Sequence, residues 1–368
     1  MKEIENPTLD SFNDKEFPWS ATEPSAMPSS IDSLAPKPLL DFSNARDLLF
    51  LAPLAGYTDL PFRNVVKKFG VDITVSEMIS SHALAYSSAK TIKMLEKSSI
   101  ETPFSAQISG SKPEVLKRAI EVLNAQKGID IVDFNCGCPA PKVANHGNGS
   151  GLLKDLSHLV TLLHLIREHT TAPYTSVKVR LGFDTKIPEE IANALNDAPI
   201  DFVVIHGRTR SDGYKKERID YDAIALMNKI LRVPVIANGE IDSATKAYEV
   251  LHNTGANGVM IGRAALVAPW IFWQIRHKTE AIPYFIKKDL VLEHFNAMVQ
   301  FYGERGVVMF RKNLHAYAKG HSGASAFRQV VNTLSDSNSM RVAIEDFFGD
   351  CLQEWAIEPL VELNKRSV

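Results

Sequence analysis

The chain has 368 residues, 45% hydrophobic and 23% charged, a balance that suits a folded globular protein with one large domain and a smaller one. A formal net charge of -2 gives no overall pull toward nucleic acid, so any RNA contact must come from a local basic surface. Three cysteines are too few and too unevenly spaced for a disulfide framework. No apolar run reaches the roughly 18 residues of a membrane span, and the acidic start (Glu3, Glu5, Asp10, Asp14) is unlike a signal peptide. A reduced, cytoplasmic setting is expected.

Residues 1–44 carry Pro7, Pro18, Pro24, Pro28, Pro36 and Pro38 among serines and show no sustained hydrophobic period. Such a stretch buries too little apolar surface to offset the entropy of ordering and reads as a flexible tail. The alternative is a partner-binding segment anchored by Phe12, Phe17 and Trp19; nothing calls for an obligatory protein partner. From Leu48 onward, apolar and β-branched runs recur at Leu48–Ala55, Ile73–Ile79, Phe104–Ser109, Ile131–Cys136, Thr175–Leu181, Phe202–His206, Val233–Ala237 and Gly258–Gly262. Amphipathic stretches such as Lys112–Gln126, Leu152–Glu168 and Asp220–Leu231 separate them. Near-continuous apolar strands alternating with helices indicate a parallel sheet covered on its outer face. The expected fold is α/β, a (β/α)8 TIM barrel over residues 45–279. A doubly wound sheet would usually place a glycine-rich dinucleotide turn after the first strand, where this chain has Ala52-Pro53-Leu54-Ala55-Gly56. Beyond about Thr279 the periodicity is helical only, in Asp289–Tyr302, Val307–Lys319 and Ala324–Leu334, with Gly303, Gly306, Gly320 and Gly323 as separators. Residues 280–368 are therefore expected to form a small C-terminal all-helical domain.

Chemistry on such a barrel is built at the C-terminal ends of the strands. Polar residues collect there: Gln107, Asn135 through Pro139, Lys178 and Arg180, His206 through Arg208, Asn238-Gly239-Glu240, and Gly262-Arg263. Buried cations are costly unless paired, so several of them facing one mouth imply an anionic or strongly hydrogen-bonding ligand. The last two clusters follow strands seven and eight, where such barrels bind phosphate through backbone N–H groups; Arg263 adds a forked contact. Lys178, two residues before Arg180 and on the same face, suits the electron-rich edge of a flavin, or else pairs with an acid such as Glu77. His206 is either a ligand contact beside Lys178 or a satisfied core histidine. Cys136 and Cys138 lack the further ligands of a zinc site, and no metal is expected. Cys138, in a Gly-Cys-Pro turn facing the mouth, is a thiol able to give a proton. Gly147–Gly151 resembles a phosphate loop without its lysine, and Ser150 has no base partner in sequence.

These motifs together resemble the tRNA-dihydrouridine synthase family. The resemblance rests on Leu51–Asp59 with Pro61-Phe62-Arg63, Ser76-Glu77-Met78, Asn135–Pro139, Val177–Arg180, His206–Arg210, Asn238-Gly239-Glu240 and Ile261-Gly262-Arg263. It spans roughly Leu48 to Leu334 and is closest to the bacterial synthase B type through Lys142-Val143 and Arg311-Lys312. It implies FMN as cofactor and NADPH as hydride source for reducing uridine to 5,6-dihydrouridine in the D-loop of tRNA. Pro53, Leu54 and Ala55 would line the flavin ring, and Gln107, Lys178 and His206 would hydrogen-bond it. Asn238, Gly239, Glu240, Gly262 and Arg263 would hold the ribityl phosphate, Cys138 would be the general acid, and Asn135 with Arg180 would grip the uracil. The chain departs from the family pattern at Cys136, usually a larger apolar residue, and at Ala264–Ala268, which lacks a frequent glycine.

The basic run Arg305, Arg311, Lys312, Lys319 and Arg328 contains no acid. On a helix Arg311, Lys312, His315 and Lys319 share a face opposite Phe310 and Leu314, so Arg311 and Lys312 are expected to contact tRNA phosphates. The rival readings are an FMN-dependent dihydropyrimidine- or dihydroorotate-type dehydrogenase, which leaves this basic face idle, and a non-catalytic tRNA-binding chaperone.

Overall fold

A computed structural model describes residues 40, 47–86, 88–281 and 286–354. The proline-rich N-terminal stretch with Phe12, Phe17 and Trp19 lies outside the described residues. Eight strands form the barrel: β1 (Leu48–Leu51), β2 (Ile73–Val75), β3 (Phe104–Ser109), β4 (Ile131–Cys136), β5 (Tyr174–Arg180), β6 (Phe202–His206), β7 (Val235–Asn238) and β8 (Gly258–Ile261). Each pairs in parallel with the next, and β8 closes the ring on β1 with Leu51 opposite Ile261. The fold is the (β/α)8 barrel the alternating pattern predicted. Two edges differ from the sequence reading, both at proline. The first run stops at Leu51 because Pro53 has no N–H for the ladder, and the seventh begins after Pro234 for the same reason. The run Ile73–Ile79 also divides, leaving Ile79–Ser80 to pair separately beside β3.

The barrel helices used below are α1 (Leu60–Lys67), α2 (Pro113–Asn124), α3 (Leu156–His169), α4 (Pro188–Asn196), α5 (Tyr221–Ile230) and α6 (Ala244–Thr254). In α2, Pro113 starts the first turn, and Leu116, Ala119, Ile120 and Leu123 recur at helical spacing and are all buried against the sheet. Because the outer face is occupied by such apolar stripes, the polar residues of the strands must face the barrel interior. After β8 come α7 (Arg263–Val267), α8 (Ile271–His277), α9 (Ile286–Tyr302), α10 (Glu304–Tyr317), α11 (Ala324–Thr333) and α12 (Ser337–Glu354). No helix among the described residues is long and apolar enough to cross a membrane.

The barrel and these later helices belong to one compact unit. Phe62 of α1 lies 5.5 Å from the buried ring of His294 on α9, which meets Phe310 of α10 edge-on at 4.8 Å. Burial, with the charge of Lys312, pushes His294 down to about 3, so it is neutral; its Nδ1 shares a 2.8 Å hydrogen bond with the Tyr317 hydroxyl. The sequence reading missed α12, whose apolar positions Met340, Ile344 and Phe348 are sparse among polar residues. It also misplaced Gly306, which is no separator. It lies within α10, where an added Cβ would come within 2.3 Å of the Met298 carbonyl oxygen on α9. The α9–α10 crossing is close because residue 306 lacks a side chain.

Gly306→Ala tests that crossing. Alanine favours a helix interior over glycine by about 1 kcal/mol, yet the contact here is with backbone that cannot turn aside. The variant is expected to lose about 1–3 kcal/mol of stability, read as a lower Tm; a raised Tm would show that the two helices separate freely.

Candidate active site

A cavity of about 540 Å³ opens at the C-terminal ends of the strands, within the usual range for small-ligand sites. The turn after β1 contributes Pro53, Leu54 and Ala55; β3 contributes Gln107; the end of β4 contributes Asn135 and Cys138. Opposite them stand Lys178 and Arg180 of β5, His206 of β6, the Asn238-Gly239-Glu240 turn and Gly262-Arg263. Every barrel residue assigned above to the flavin ring, its phosphate, the uracil or the proton therefore lines one cavity. Arg311 and Lys312 do not line it, whereas Lys319, just past α10, does. Cys136 is fully buried away from the cavity; burial and then Asp133 push its thiol up.

The wall is crowded with cations. Lys178 donates from Nζ to Asn238 Oδ1 at 2.8 Å, and Asn238 is held in turn by the Met260 carbonyl at 2.7 Å. Glu77, the acid considered as its partner, instead accepts a hydrogen bond from the Gly56 N–H. Burial and the neighbouring Arg180 lower Lys178 from 10.5 to about 7, against a smaller opposing pull from Asp133. Arg180 donates to the carbonyls of Gly137 (2.8 Å), Thr209 (2.7 Å) and Gly213 (3.0 Å), leaving Nη2 without a hydrogen bond among the described residues. Arg208, fully buried and outside the set chosen from sequence, donates to Glu240 at 2.6 Å and to His206 Nε2 at 3.2 Å. An arginine only donates, so that nitrogen accepts and the proton sits on Nδ1. Burial, then Lys178, Arg180, Arg208 and Arg263, hold His206 well below 6.5 and hence neutral.

Glu240 also receives Arg263. Burial works against its charge, but the two arginines outweigh that and keep the carboxyl below its usual range. The turn that carries it is left-handed at both residues, with φ of 124° at Gly239 and 50° at Glu240. A Cβ at Gly239 would meet Ile219 at 2.4 Å and the His206 ring at 2.9 Å, so the position requires glycine.

On the opposite side, Asn135 donates to Gln107 Oε1 at 2.8 Å and accepts from the Cys138 N–H at 3.0 Å. The Cys138 carbonyl accepts from the Ser150 hydroxyl at 2.8 Å, which gives Ser150 a structural role the sequence did not show. Arg311 and Lys312 are less free than their helix face suggested. Arg311 Nη2 donates to the Leu334 carbonyl at 2.7 Å, and Lys312 donates to the Gly56 carbonyl and lies over the Tyr57 ring.

The donor set fits a flavin mononucleotide: amide and amine donors on one flank, a neutral imidazole, and an arginine beside two glycine-bearing turns for a phosphate. The dihydrouridine synthase (Dus) family matches residues 50–352 of this chain. A Helicobacter pylori protein named probable tRNA-dihydrouridine synthase is 67% identical over 329 residues, covering 89% of this chain and 100% of its own. The tRNA-dihydrouridine synthase B of Vibrio cholerae serotype O1 is 38% identical over 309 residues, 82% of this chain and 95% of its own. Among solved structures, histamine dehydrogenase from Rhizobium sp. 4-9 superposes with a TM-score of 0.51 at 10% identity, over 84% of this chain and 63% of that one, a likeness of fold alone.

The depressed Lys178 has a measurable signature. Between about pH 7 and 10.5 the unfolded chain holds a proton that the folded, ligand-free protein does not, so stability from this group rises with pH across that window. Lys178→Met lacks this slope. Its unfolding free energy relative to wild type should therefore fall as pH is raised from 7 to 10, by an amount on the order of a few kcal/mol, and its relative Tm should fall with it. A difference in Tm that is constant over that range would show that Lys178 is not desolvated.

Proposed function

Since the chain belongs to the dihydrouridine synthase family, we propose that it reduces uridine to 5,6-dihydrouridine in the D-loop of tRNA, in the cytoplasm, with FMN as cofactor and NADPH as hydride source. The observation that carries this reading is that Cys138, Lys178 and Arg263 line a single cavity. FMN, when bound, supplies the hydride for C6 of uracil. Pro53, Leu54 and Ala55 flank its ring, and Gln107, Lys178 and His206 bind the ring by hydrogen bonds. Lys178 regains its charge against an electron-rich edge. Asn238, Gly239, Glu240, Gly262 and Arg263 take the ribityl phosphate. Glu240 does so through its backbone, since its carboxylate already neutralises Arg208 and Arg263.

Uracil is held by Arg180 at Nη2 and by the second amide proton of Asn135, neither of which has a hydrogen-bond partner among the described residues. Cys138 gives the proton to C5 and must be a thiol when it does so. The target base leaves its stack to reach this depth, at a cost of roughly a few kcal/mol. The helical segment 280–368 supplies the compensating contacts to the tRNA backbone. Lys319 stands exposed on the cavity wall, while Arg311 and Lys312 reach phosphate only by exchanging their present backbone acceptors.

Cys138→Ala, assayed as uridine reduction by pre-reduced enzyme, should be slower by about 10² to 10⁴, with NADPH oxidation unaffected. Uridine reduction at the wild-type rate would remove Cys138 from the chemistry. Lys319→Glu should weaken tRNA binding and reduce the salt dependence of its affinity by about one phosphate contact; an unchanged salt slope would place the backbone elsewhere.

A further inference from the structure

Behind the cavity wall, one buried carboxylate faces a line of amides. Asp133, on β4 two residues before Asn135, is 2% exposed. Its Oδ2 accepts from Gln107 Nε2 at 2.6 Å and its Oδ1 from the Ser176 hydroxyl at 2.7 Å. Burial pushes Asp133 above the usual carboxylate range, opposed by the hydrogen bonds from Gln107 and Ser176 and by the charge of Lys178; as a carboxylate it can only accept. Gln107 must therefore turn its NH₂ toward Asp133 and its carbonyl away. That carbonyl then faces Asn135 Nδ2 at 2.8 Å, which leaves Asn135 Oδ1 for the N–H groups of Cys138 at 3.0 Å and Gly137 at 3.3 Å. An amide is nearly the same shape either way round, so packing alone does not choose between the two orientations. Charge does.

From this geometry we propose that Asp133 is a positioning residue. It sets the direction of the Gln107–Asn135 chain and so fixes the peptide that carries the Cys138 thiol. This rests on the reading of Cys138 as proton donor. The other faces of that turn are tied down independently, by Arg180 on the Gly137 carbonyl and Ser150 on the Cys138 carbonyl. The amide of Asn135 is the contact on the N–H side, and with asparagine at residue 133 both orientations of Gln107 become available. A displacement of the reacting group by about 1 Å costs on the order of 10²-fold in rate.

The test is a double-mutant cycle of Asp133→Asn and Cys138→Ala, with flavin content and Tm recorded for each protein and uridine reduction measured from the pre-reduced state. Asp133→Asn alone should be slower by roughly 10- to 100-fold with little change in KM for tRNA, and should add no further loss to Cys138→Ala. Ser176→Ala, which removes a donor to Asp133 but leaves the carboxylate facing Gln107, should stay close to wild type. Equal losses from Asp133→Asn in both backgrounds would overturn the proposal. So would slowed NADPH oxidation, which points to a route through the charge of Lys178. Wild-type rates for Asp133→Asn would overturn it too. A Cys138→Ala protein of undiminished activity would instead refute the proton-donor reading, a separate outcome. Should Asp133→Asn not fold, Asp133→Ser, which also lacks an obligate acceptor, takes its place in the cycle.

Discussion

The barrel mouth holds more positive charge than its acids balance. Lys178, Arg180, Arg208 and Arg263 converge on Asp133 and Glu240, and the closed sheet gives their side chains nowhere else to go. Two unit charges several ångströms apart in such surroundings interact by about 2–4 kcal/mol, enough to reset protonation states. Burial first, and this excess after it, lowers Lys178 to about 7 and keeps His206 neutral. The arginines are held by oxygen acceptors, Arg180 on three carbonyls and Arg208 on Glu240 and the Lys215 carbonyl. A bound anion would relieve that repulsion. The mouth therefore selects for negative charge before shape enters.

That excess was visible in the linear sequence, because a lysine or arginine inside a run of valines stands out. The eight strands were legible for a related reason: a strand covered on both faces reads as a continuous apolar run. What failed was the choice of hydrogen-bond partners. The partner of Lys178 is Asn238, sixty residues away on β7, and not Glu77; both are polar, and only the barrel's curvature decides which lies within reach. Asp133 drew no attention in sequence, although its carboxylate orders the amides beside Cys138. Arg208 stood in the strand-end cluster by position, but its bridge from His206 to Glu240 was not legible. Periodicity put Arg311 and Lys312 on one helix face but had no means of showing that the Leu334 and Gly56 carbonyls lie beside them.

The Gly56 contact changes how the helical segment is to be understood. The Gly56 peptide is gripped on both sides, its N–H by Glu77 and its carbonyl by Lys312, directly after the Pro53–Ala55 turn that walls the cavity. Nearby, burial, with Glu77 adding to it, raises Asp59 to about 6 against the pull of the Phe62 N–H that it caps, the Tyr302 hydroxyl and Lys312. Lys312 thus holds the Gly56 carbonyl while its charge acts on the Asp59 carboxyl. A tRNA phosphate drawn to it has to displace contacts that hold the β1 turn in place, whereas Lys319, exposed on the same wall, has no such ties among the described residues. The last helices help to shape the cavity, because a force on Lys312 also bears on the Pro53–Ala55 turn that walls it.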